Sequence, residues 1–260
     1  MDRLTDKRTS RRKRLGTPAA TCVQRRWDEA PGPEDAAEES TQQTEATLFA
    51  LALAVEQRDH QTAGHCERLA FMSVAMGMAL HLSRVQLLSL FRGGFLHDVG
   101  KVGIPDSILF KPGKLSASEW VVMRSHVVRG EEICRHLKPL SPVLPIIRHH
   151  HERWDGTGYP DGLRGNQIPL LARIVQVADI YDALTSPRAY KPAFAPEKAL
   201  RLIEEETTKG WRDPEIVDLF FRIHKDMIAR LGYVAVGADP NLLALRNSIS
   251  DLQTLLNVAE

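Results

Sequence analysis

The chain has 260 residues, of which 43% are hydrophobic and 26% are charged, and its formal net charge is +1. This length is enough for one substantial core with a tail, and the near-neutral charge gives no reason to expect binding to nucleic acid or to a membrane. Three widely spaced cysteines without a CxxC pair argue against a disulfide framework and a structural zinc finger. The N-terminus has no apolar stretch typical of a secretory signal, so we expect a soluble cytoplasmic protein.

The first 45 residues are predicted to be a disordered, charged tail. Basic residues dominate up to position 26, and only acidic charges follow from position 28 to 45. Apolar periodicity is absent, and the sequence Pro31-Gly32-Pro33 interrupts any helix. The basic run RRKR is a candidate contact for nucleic acid or an acidic partner, but a solvated tail that pairs with its own acidic half is the favoured interpretation.

Residues 46–235 are predicted to form an all-α domain. Apolar residues recur at helical spacing, and the sequence shows no alternating strand pattern. Ser83 is a predicted helix N-cap. Ser116 and Glu119 match a capping box, which predicts a helix that extends through His126.

Two stretches rich in Gly and Pro, residues 99–115 and 152–168, are predicted to be long loops, and loops of that length in a compact helical domain are usually functional. Pro196 and Pro214 are predicted in the first turns of later helices. Residues 236–260 are predicted to form an amphipathic helix. Packing of this helix on the chain's own core is favoured over dimerisation, because two heptads are too few to indicate a coiled coil.

Histidines and carboxylates recur at long intervals, at His65, His97, Asp98, His126, His150, His151 and Asp179. Imidazoles mixed with carboxylates suit Fe, Mn, Zn or Ni. Asp98 is the predicted bridge between two cations, because a carboxylate offers two oxygens. The two sites are then completed by His65, His97 and Asp179 on one side and by His126, His150 and His151 on the other.

Residues close to these presumed ligands predict substrate contacts. The segment HHHERWDGTGYPDG lacks the HExxH spacing of metalloproteases, because Asp155 stands four residues after His151. Its glycine-rich part is predicted to present Gly158 and Tyr159 to a substrate, with a purely structural turn as an equal alternative. Three cations are predicted to contact phosphate, namely Lys101, Arg188 and Lys191.

The segments TAGHCERLA, HDVGKVGIPD, HHHERWDGTGYPDG and VADIYDALTSPRAYK resemble the HD-GYP domain, a branch of the HD metal-dependent phosphohydrolase superfamily. The resemblance runs from about Asp59 to Ala193 and continues more weakly to about His224. It implies an HD-domain helical bundle that hydrolyses cyclic di-GMP, a bacterial second messenger, to linear pGpG or further to GMP. It also implies a centre of two or three metal ions, typically iron or manganese.

Carried over by position, the family's metal ligands fall on the seven histidines and aspartates named above. His97, Asp98 and Lys101 are the implied catalytic residues, and Arg188 and Lys191 are the implied phosphate-binding pair. His149 lies just outside the HHE motif and is expected to contact the ligands without binding metal itself.

Two positions depart from the family pattern. Gln61 stands where trinuclear members carry a glutamate, and because an amide is a poor ligand for a hard cation, two metal ions are predicted. This argues against the second cleavage, to GMP. Ala189 replaces the usual proline of RPYK, which is expected to loosen the phosphate-binding loop without abolishing binding.

Cyclic di-GMP is the implied ligand, with a GGDEF-type signalling protein as a candidate partner and dimerisation left open. One alternative is a catalytically weak module that binds a cyclic dinucleotide or a protein. Another keeps hydrolysis but changes the substrate, to a different cyclic dinucleotide or a nucleoside phosphate.

Overall fold

The computed structural model describes residues 33–58, 64–186 and 192–235. These residues form α-helices and short 3₁₀ turns with no strand among them, which confirms the predicted all-α class. The ten α-helices in these ranges are α1 (Pro33–Arg58), α2 (His65–Ala79), α3 (Arg84–Leu96), α4 (Asp106–Leu109), α5 (Ala117–Arg124), α6 (His126–Cys134), α7 (Leu144–His149), α8 (Leu170–Thr185), α9 (Pro196–Thr208) and α10 (Pro214–Ala235). None of them combines the length and apolarity that a membrane span requires.

The chain divides into two compact units, Met1–Gln42 and Gln43–Glu260. The structure has helix from Pro33 onward, whereas the sequence analysis placed residues 33–45 in the charged tail, and the domain bounds given there stay a prediction. Proline fits the first position of a helix, where no intrahelical partner is lost, and the following Glu- and Ala-rich sequence favours helix. The tail before residue 33 and the predicted helix at 236–260 lie outside the described residues.

Close helix packing in the second unit forms the core around α2, α3 and α8. Gly94 of α3 lies against Ala70 of α2 so closely that a Cβ at Gly94 would stand 2.5 Å from the Ala70 Cα. Helix α8 is buried along most of its length, with Ile174 and Val175 fully enclosed. This packing brings the first residue of α2, His65, near the C-cap of α3, His97.

Several helix boundaries agree with the sequence signals. Ser83 and Ser116 both form capping boxes, and Pro196 and Pro214 begin α9 and α10. The helix expected to continue through His126 instead ends at Arg124, and a second helix begins at His126. The Ser125 hydroxyl donates to the Val122 carbonyl at 2.6 Å, a local bond of the kind that competes with helix continuation.

The two predicted loops differ in character. Residues 99–115 are not one long loop, because they contain a 3₁₀ turn, Val99–Gly103, and the short helix α4. Arg58 of α1 fixes this segment by donating to the carbonyls of Val102 at 3.3 Å and Ile104 at 3.2 Å. Residues 152–164 are irregular and precede a 3₁₀ turn, Gly165–Gln167.

Candidate metal centre

The structure brings all seven predicted ligand residues together. In the described residues their donor atoms form two groups, each with all atoms within 4.8 Å of one another. One group contains His65, His97 and Asp179, and the other contains Asp98, His126, His150 and His151. The members match the two sets named from the sequence, with Asp98 in the second group, and their role as metal ligands stays a prediction.

Asp98 lies between the two groups, with one carboxylate oxygen towards each. Its Oδ1 is 3.2 Å from Nε2 of His126 and 3.8 Å from Nε2 of His150. Its Oδ2 is 3.3 Å from Nε2 of His97 and 2.8 Å from Nζ of Lys101. A carboxylate in this position is able to bridge two cations.

Backbone carbonyls orient three of the histidine rings. Nδ1 lies 3.0 Å from the Gly94 carbonyl in His97, 2.7 Å from the Met123 carbonyl in His126 and 3.0 Å from the Ile147 carbonyl in His150. A carbonyl only accepts, so each Nδ1 carries a proton, and in the neutral form of each ring Nε2 presents a lone pair. This is the arrangement by which proteins prepare an imidazole to bind a metal.

The Nε2 atoms of these rings and of His65, together with Oδ1 of Asp98, are buried without a hydrogen-bond partner within the described residues. Lone pairs facing one another in a buried site repel unless a cation or proton lies between them. Metal–ligand bonds of about 2.0–2.2 Å place neighbouring donor atoms roughly 3 Å apart. The donor set and its spacing therefore fit divalent cations.

Burial and neighbouring charges also shift the pKa values of the predicted ligand residues. Burial lowers the pKa of His150, and burial followed by the neighbouring His150 and His126 rings lowers that of His151 well below its usual range. Burial opposes it, but Lys101 and His97 hold the pKa of Asp98 well below its ordinary value. These shifts leave neutral imidazoles beside an ionised carboxylate, which are the protonation states that bind cations.

The pKa of His97 is shifted in the opposite direction from those of His150 and His151. Burial acts to lower its pKa, but the carboxylates Asp98 and Asp179 together raise the pKa to about 8. The two acids thus make a strongly negative surrounding in which a positive charge is favourable. A divalent cation meets that requirement as well as a proton does.

Helix α8 contributes three polar side chains along one face, and the sequence analysis identified only Asp179. Asp179 Oδ1 is 3.6 Å from Nε2 of His65. One turn later, Asp182 Oδ2 is 2.7 Å from Nδ1 of the same ring. Gln176, one turn before Asp179, donates to the carbonyls of His150, at 3.0 Å, and of Glu152. Gln176 and Asp182 each lie three residues from Asp179, and this helical spacing was the signal in the sequence that could have identified them.

The α2 N-terminus is held by a carboxylate from another helix. Glu56 of α1 is 6% exposed and accepts hydrogen bonds from the backbone N–H of His65 at 2.9 Å and of Cys66 at 3.1 Å. Gly64, the N-cap position, provides no side-chain cap. Glu56 therefore fixes the first turn that carries His65, and no local sequence signal pointed to it.

Glu152 of the HHE motif organises the glycine-rich loop. Its side chain is fully buried and accepts from the backbone N–H of Asp161 at 2.7 Å and of Leu163 at 3.1 Å. Gly158 packs against this residue, since a Cβ there would lie 2.4 Å from the Glu152 Cα. The position of Gly158 indicates a packing role.

His149 lies beside the same loop. Its Nδ1 is 3.5 Å from Asp161 Oδ2 and 3.9 Å from Glu152 Oε1. Asp161 is held by two hydrogen bonds from Arg148, at 2.8 and 2.9 Å. Both carboxylates near His149 are therefore partnered, and His149 does not join either of the two larger groups.

The remaining predicted site residues divide into two sets. Lys101 is 13% exposed and lies against Asp98, and the Tyr159 ring stacks on His151 with centroids 4.9 Å apart. Burial, followed by the Asp98 charge, raises the pKa of the Tyr159 hydroxyl, so the phenol stays neutral. Arg188, Lys191 and Gln61 lie outside the described residues.

Together these features define an all-helical protein with a buried histidine–aspartate cluster suited to divalent metal. The chain belongs to the HD domain family, whose profile matches residues 50–216. The resemblance seen in the sequence is thereby confirmed.

Several named relatives are similar in sequence to this chain over about two thirds of its length or more. The chain is 42% identical over 178 residues to the cyclic di-GMP phosphodiesterase response regulator RpfG of Xanthomonas campestris, covering 68% of this chain and 47% of the relative. It is 39% identical over 202 residues to a cyclic di-GMP phosphodiesterase of Thermotoga maritima, covering 75% and 54%. It is 38% identical over 184 residues to the 3'3'-cGAMP-specific phosphodiesterase 2 of Vibrio cholerae, covering 70% and 35%. The chain thus spans about a third to a half of the length of these relatives.

Solved structures support the fold. The chain matches a cyclic GMP-AMP phosphodiesterase of V. cholerae with a TM-score of 0.57 and 22% identity, over 78% of this chain and 52% of that one. It also matches the HD domain of the L. monocytogenes phosphodiesterase PgpH in complex with cyclic-di-AMP, with a TM-score of 0.50 and 17% identity, over 72% and 96%.

Proposed function

We propose that this chain is a metal-dependent phosphodiesterase that hydrolyses cyclic di-GMP to linear pGpG in bacterial second-messenger signalling. The observation that carries the proposal is Asp98, whose two oxygens face two separate groups of imidazole lone pairs. Relatives over most of the described domain are named as phosphodiesterases for cyclic di-GMP or cGAMP, which supports a cyclic dinucleotide as the substrate class.

Seven side chains would hold two divalent ions, iron or manganese. His65, His97 and Asp179 would hold one ion, His126, His150 and His151 would hold the other, and Asp98 would contribute an oxygen to each. Such ions supply a water of lowered pKa and neutralise charge that develops on the phosphodiester. A centre of two ions is consistent with pGpG as the product. The prediction that no third ion binds rests on Gln61, which lies outside the described residues.

The protein's own groups would hold and orient the substrate. Lys101 places its ammonium 2.8 Å from Asp98 Oδ2, next to the bridge, where it is positioned to stabilise charge on the leaving 3′ oxygen or to protonate it. Arg188 and Lys191 would hold the second phosphate, on the strength of the family resemblance alone.

Replacement of His97 and Asp98 by alanine together tests the proposal. We expect the His97→Ala/Asp98→Ala protein to lose metal loading, measured by elemental analysis of anaerobically purified protein, and to lose turnover of cyclic di-GMP, measured by chromatography of the products. The matched control is His136→Ala/Asp218→Ala, which removes one exposed histidine and one exposed aspartate. Full activity of the first double variant would exclude this site assignment.

A further inference from the structure

A row of planar side chains leads from the metal-ligand cluster to the protein surface. The His151 ring stacks on Tyr159 with centroids 4.9 Å apart and planes at 30°. The Arg124 guanidinium carbon lies 5.1 Å from the Tyr159 ring centroid and 5.6 Å from the Trp120 ring centroid. Trp120, at the outer end, is 45% exposed. The row connects a candidate ligand to an accessible aromatic surface.

The break between α5 and α6 places this surface beside the cluster. Trp120 and Arg124 are four residues apart in α5, so they share one helix face. Arg124 is the last residue of α5, and the buried His126 begins α6 only two residues later. A ligand with a phosphate at the histidines would therefore have its flanking groups near Arg124 and Trp120.

The Arg124 guanidinium lies beside two aromatic rings. Its contacts within the described residues are the two ring faces, and none of its N–H donors has a hydrogen-bond or ion-pair partner there. A planar guanidinium presents its donors as a fixed fork. That fork matches two adjacent acceptors, such as O6 and N7 of guanine, whereas adenine presents a donor in place of O6.

The neighbouring indole distinguishes a base from a phosphate as the occupant. A phosphate would accept from the guanidinium but would gain nothing from an exposed aromatic ring. A purine would use both groups, because its face stacks on an aromatic ring while its edge accepts from the fork. The pair therefore fits a guanine base better than an anion.

We propose that Trp120 and Arg124 form a subsite that binds one purine base of the substrate and selects guanine over adenine. This inference rests on the proposed phosphodiesterase function, because it assigns a contact to the substrate of that same centre. Trp120 provides the stacking surface and Arg124 reads the base edge.

Competition assays with the full, Mn²⁺-loaded chain test the subsite. The reporter substrate is bis(p-nitrophenyl) phosphate, a phosphodiester without a base, and the competitors are cyclic di-GMP and cyclic di-AMP. In Arg124→Ala we expect the inhibition constant of cyclic di-GMP to rise roughly 10- to 100-fold, the loss typical of one bidentate base contact, while that of cyclic di-AMP changes less than about threefold. In Trp120→Ala both constants should rise, because stacking does not depend on base identity.

Each inhibition constant is measured against that variant's own rate of reporter hydrolysis, so a change in this rate does not enter the comparison. Arg84→Ala, which removes an exposed arginine at the start of α3, is the matched control. An unchanged constant for cyclic di-GMP in Arg124→Ala would overturn the subsite. Equal weakening of both dinucleotides would indicate a phosphate contact and would overturn guanine selection. A wild-type protein that hydrolyses neither the reporter nor cyclic di-GMP would instead refute the proposed function.

Discussion

Asp182 is the residue whose replacement most directly tests how the centre is assembled. Its carboxylate, with a side chain 4% exposed, holds His65 Nδ1 at 2.7 Å and accepts from the Arg68 Nε at 2.6 Å. Loss of a carboxylate that orients a ligating imidazole typically weakens metal binding 10- to 100-fold. We therefore expect Asp182→Asn to cost about 1.4–2.7 kcal/mol of Mn²⁺ binding free energy.

Calorimetric titration of Mn²⁺ into chelator-stripped protein measures this loss. Asparagine keeps the shape of the side chain and one oxygen acceptor, so the variant is expected to remain folded, and thermal unfolding followed by circular dichroism checks this. Asp218→Asn is the matched control, because Asp218 also pairs with an arginine, Arg222, at 3.4 Å, but its side chain is 69% exposed. Such exposed pairs contribute about 0–1 kcal/mol. A folded Asp182→Asn protein with the wild-type dissociation constant would refute this account of His65.

The same residue predicts an acid-dependent loss of stability. Burial alone would raise the pKa of Asp182, but hydrogen bonds from His65 and Arg68 hold it at about 2. A carboxylate whose pKa is lowered by folding stabilises the protein above its unfolded pKa, and this contribution is lost as the pH falls from about 4 to about 2. Its size is about 2–3 kcal/mol. Urea unfolding across this range should show a shallower pH dependence in Asp182→Asn than in the wild type, and equal slopes would contradict the prediction.

Three further outcomes follow from the geometry. Chelation of divalent ions should lower the melting temperature, and Mn²⁺ at about 100 times its dissociation constant should restore about 2.7 kcal/mol; an unchanged melting temperature in calorimetric scans would argue against a buried cation. Gly100→Ala should lower the free energy of unfolding, measured with urea, by more than about 2 kcal/mol, because the added Cβ would lie 1.9 Å from the His126 carbonyl oxygen. Gly103→Ala should cost less, because the Cβ added there would meet only an arginine side chain, at 3.0 Å. Glu56→Gln should destabilise by about 0.5–2 kcal/mol, as the loss of a helix cap does, while exposed Glu132→Gln should leave the urea midpoint unchanged; equal midpoints for the two would exclude the capping role.

The sequence was sufficient to predict those features that depend on local spacing or on residue type. The capping boxes at Ser83 and Ser116 join residues three apart, so their partners are visible in the sequence. The grouping of ligands around Asp98 followed from residue chemistry and family resemblance. The Glu56 cap was not predictable, because its partner N–H groups are nine and ten residues away, across residues 59–63. The break between α5 and α6 was not predictable either, because it involves a hydrogen bond of Ser125, and serine also occurs within continuous helices.

The four histidines with buried, unpartnered Nε2 atoms at the two ligand groups differ in where their orientation comes from, and this difference explains why Asp182 matters. His97, His126 and His150 each lie at or just after the end of a helix, where the last carbonyls lack intrahelical partners. Each ring reaches the carbonyl three residues before it, so its orientation is built into the local backbone. His65 is the first residue of α2, where the free backbone groups are N–H donors that cannot accept from an imidazole. It therefore depends on a carboxylate 117 residues away, and a side-chain substitution is able to remove its orienting partner while leaving those of the other three rings in place.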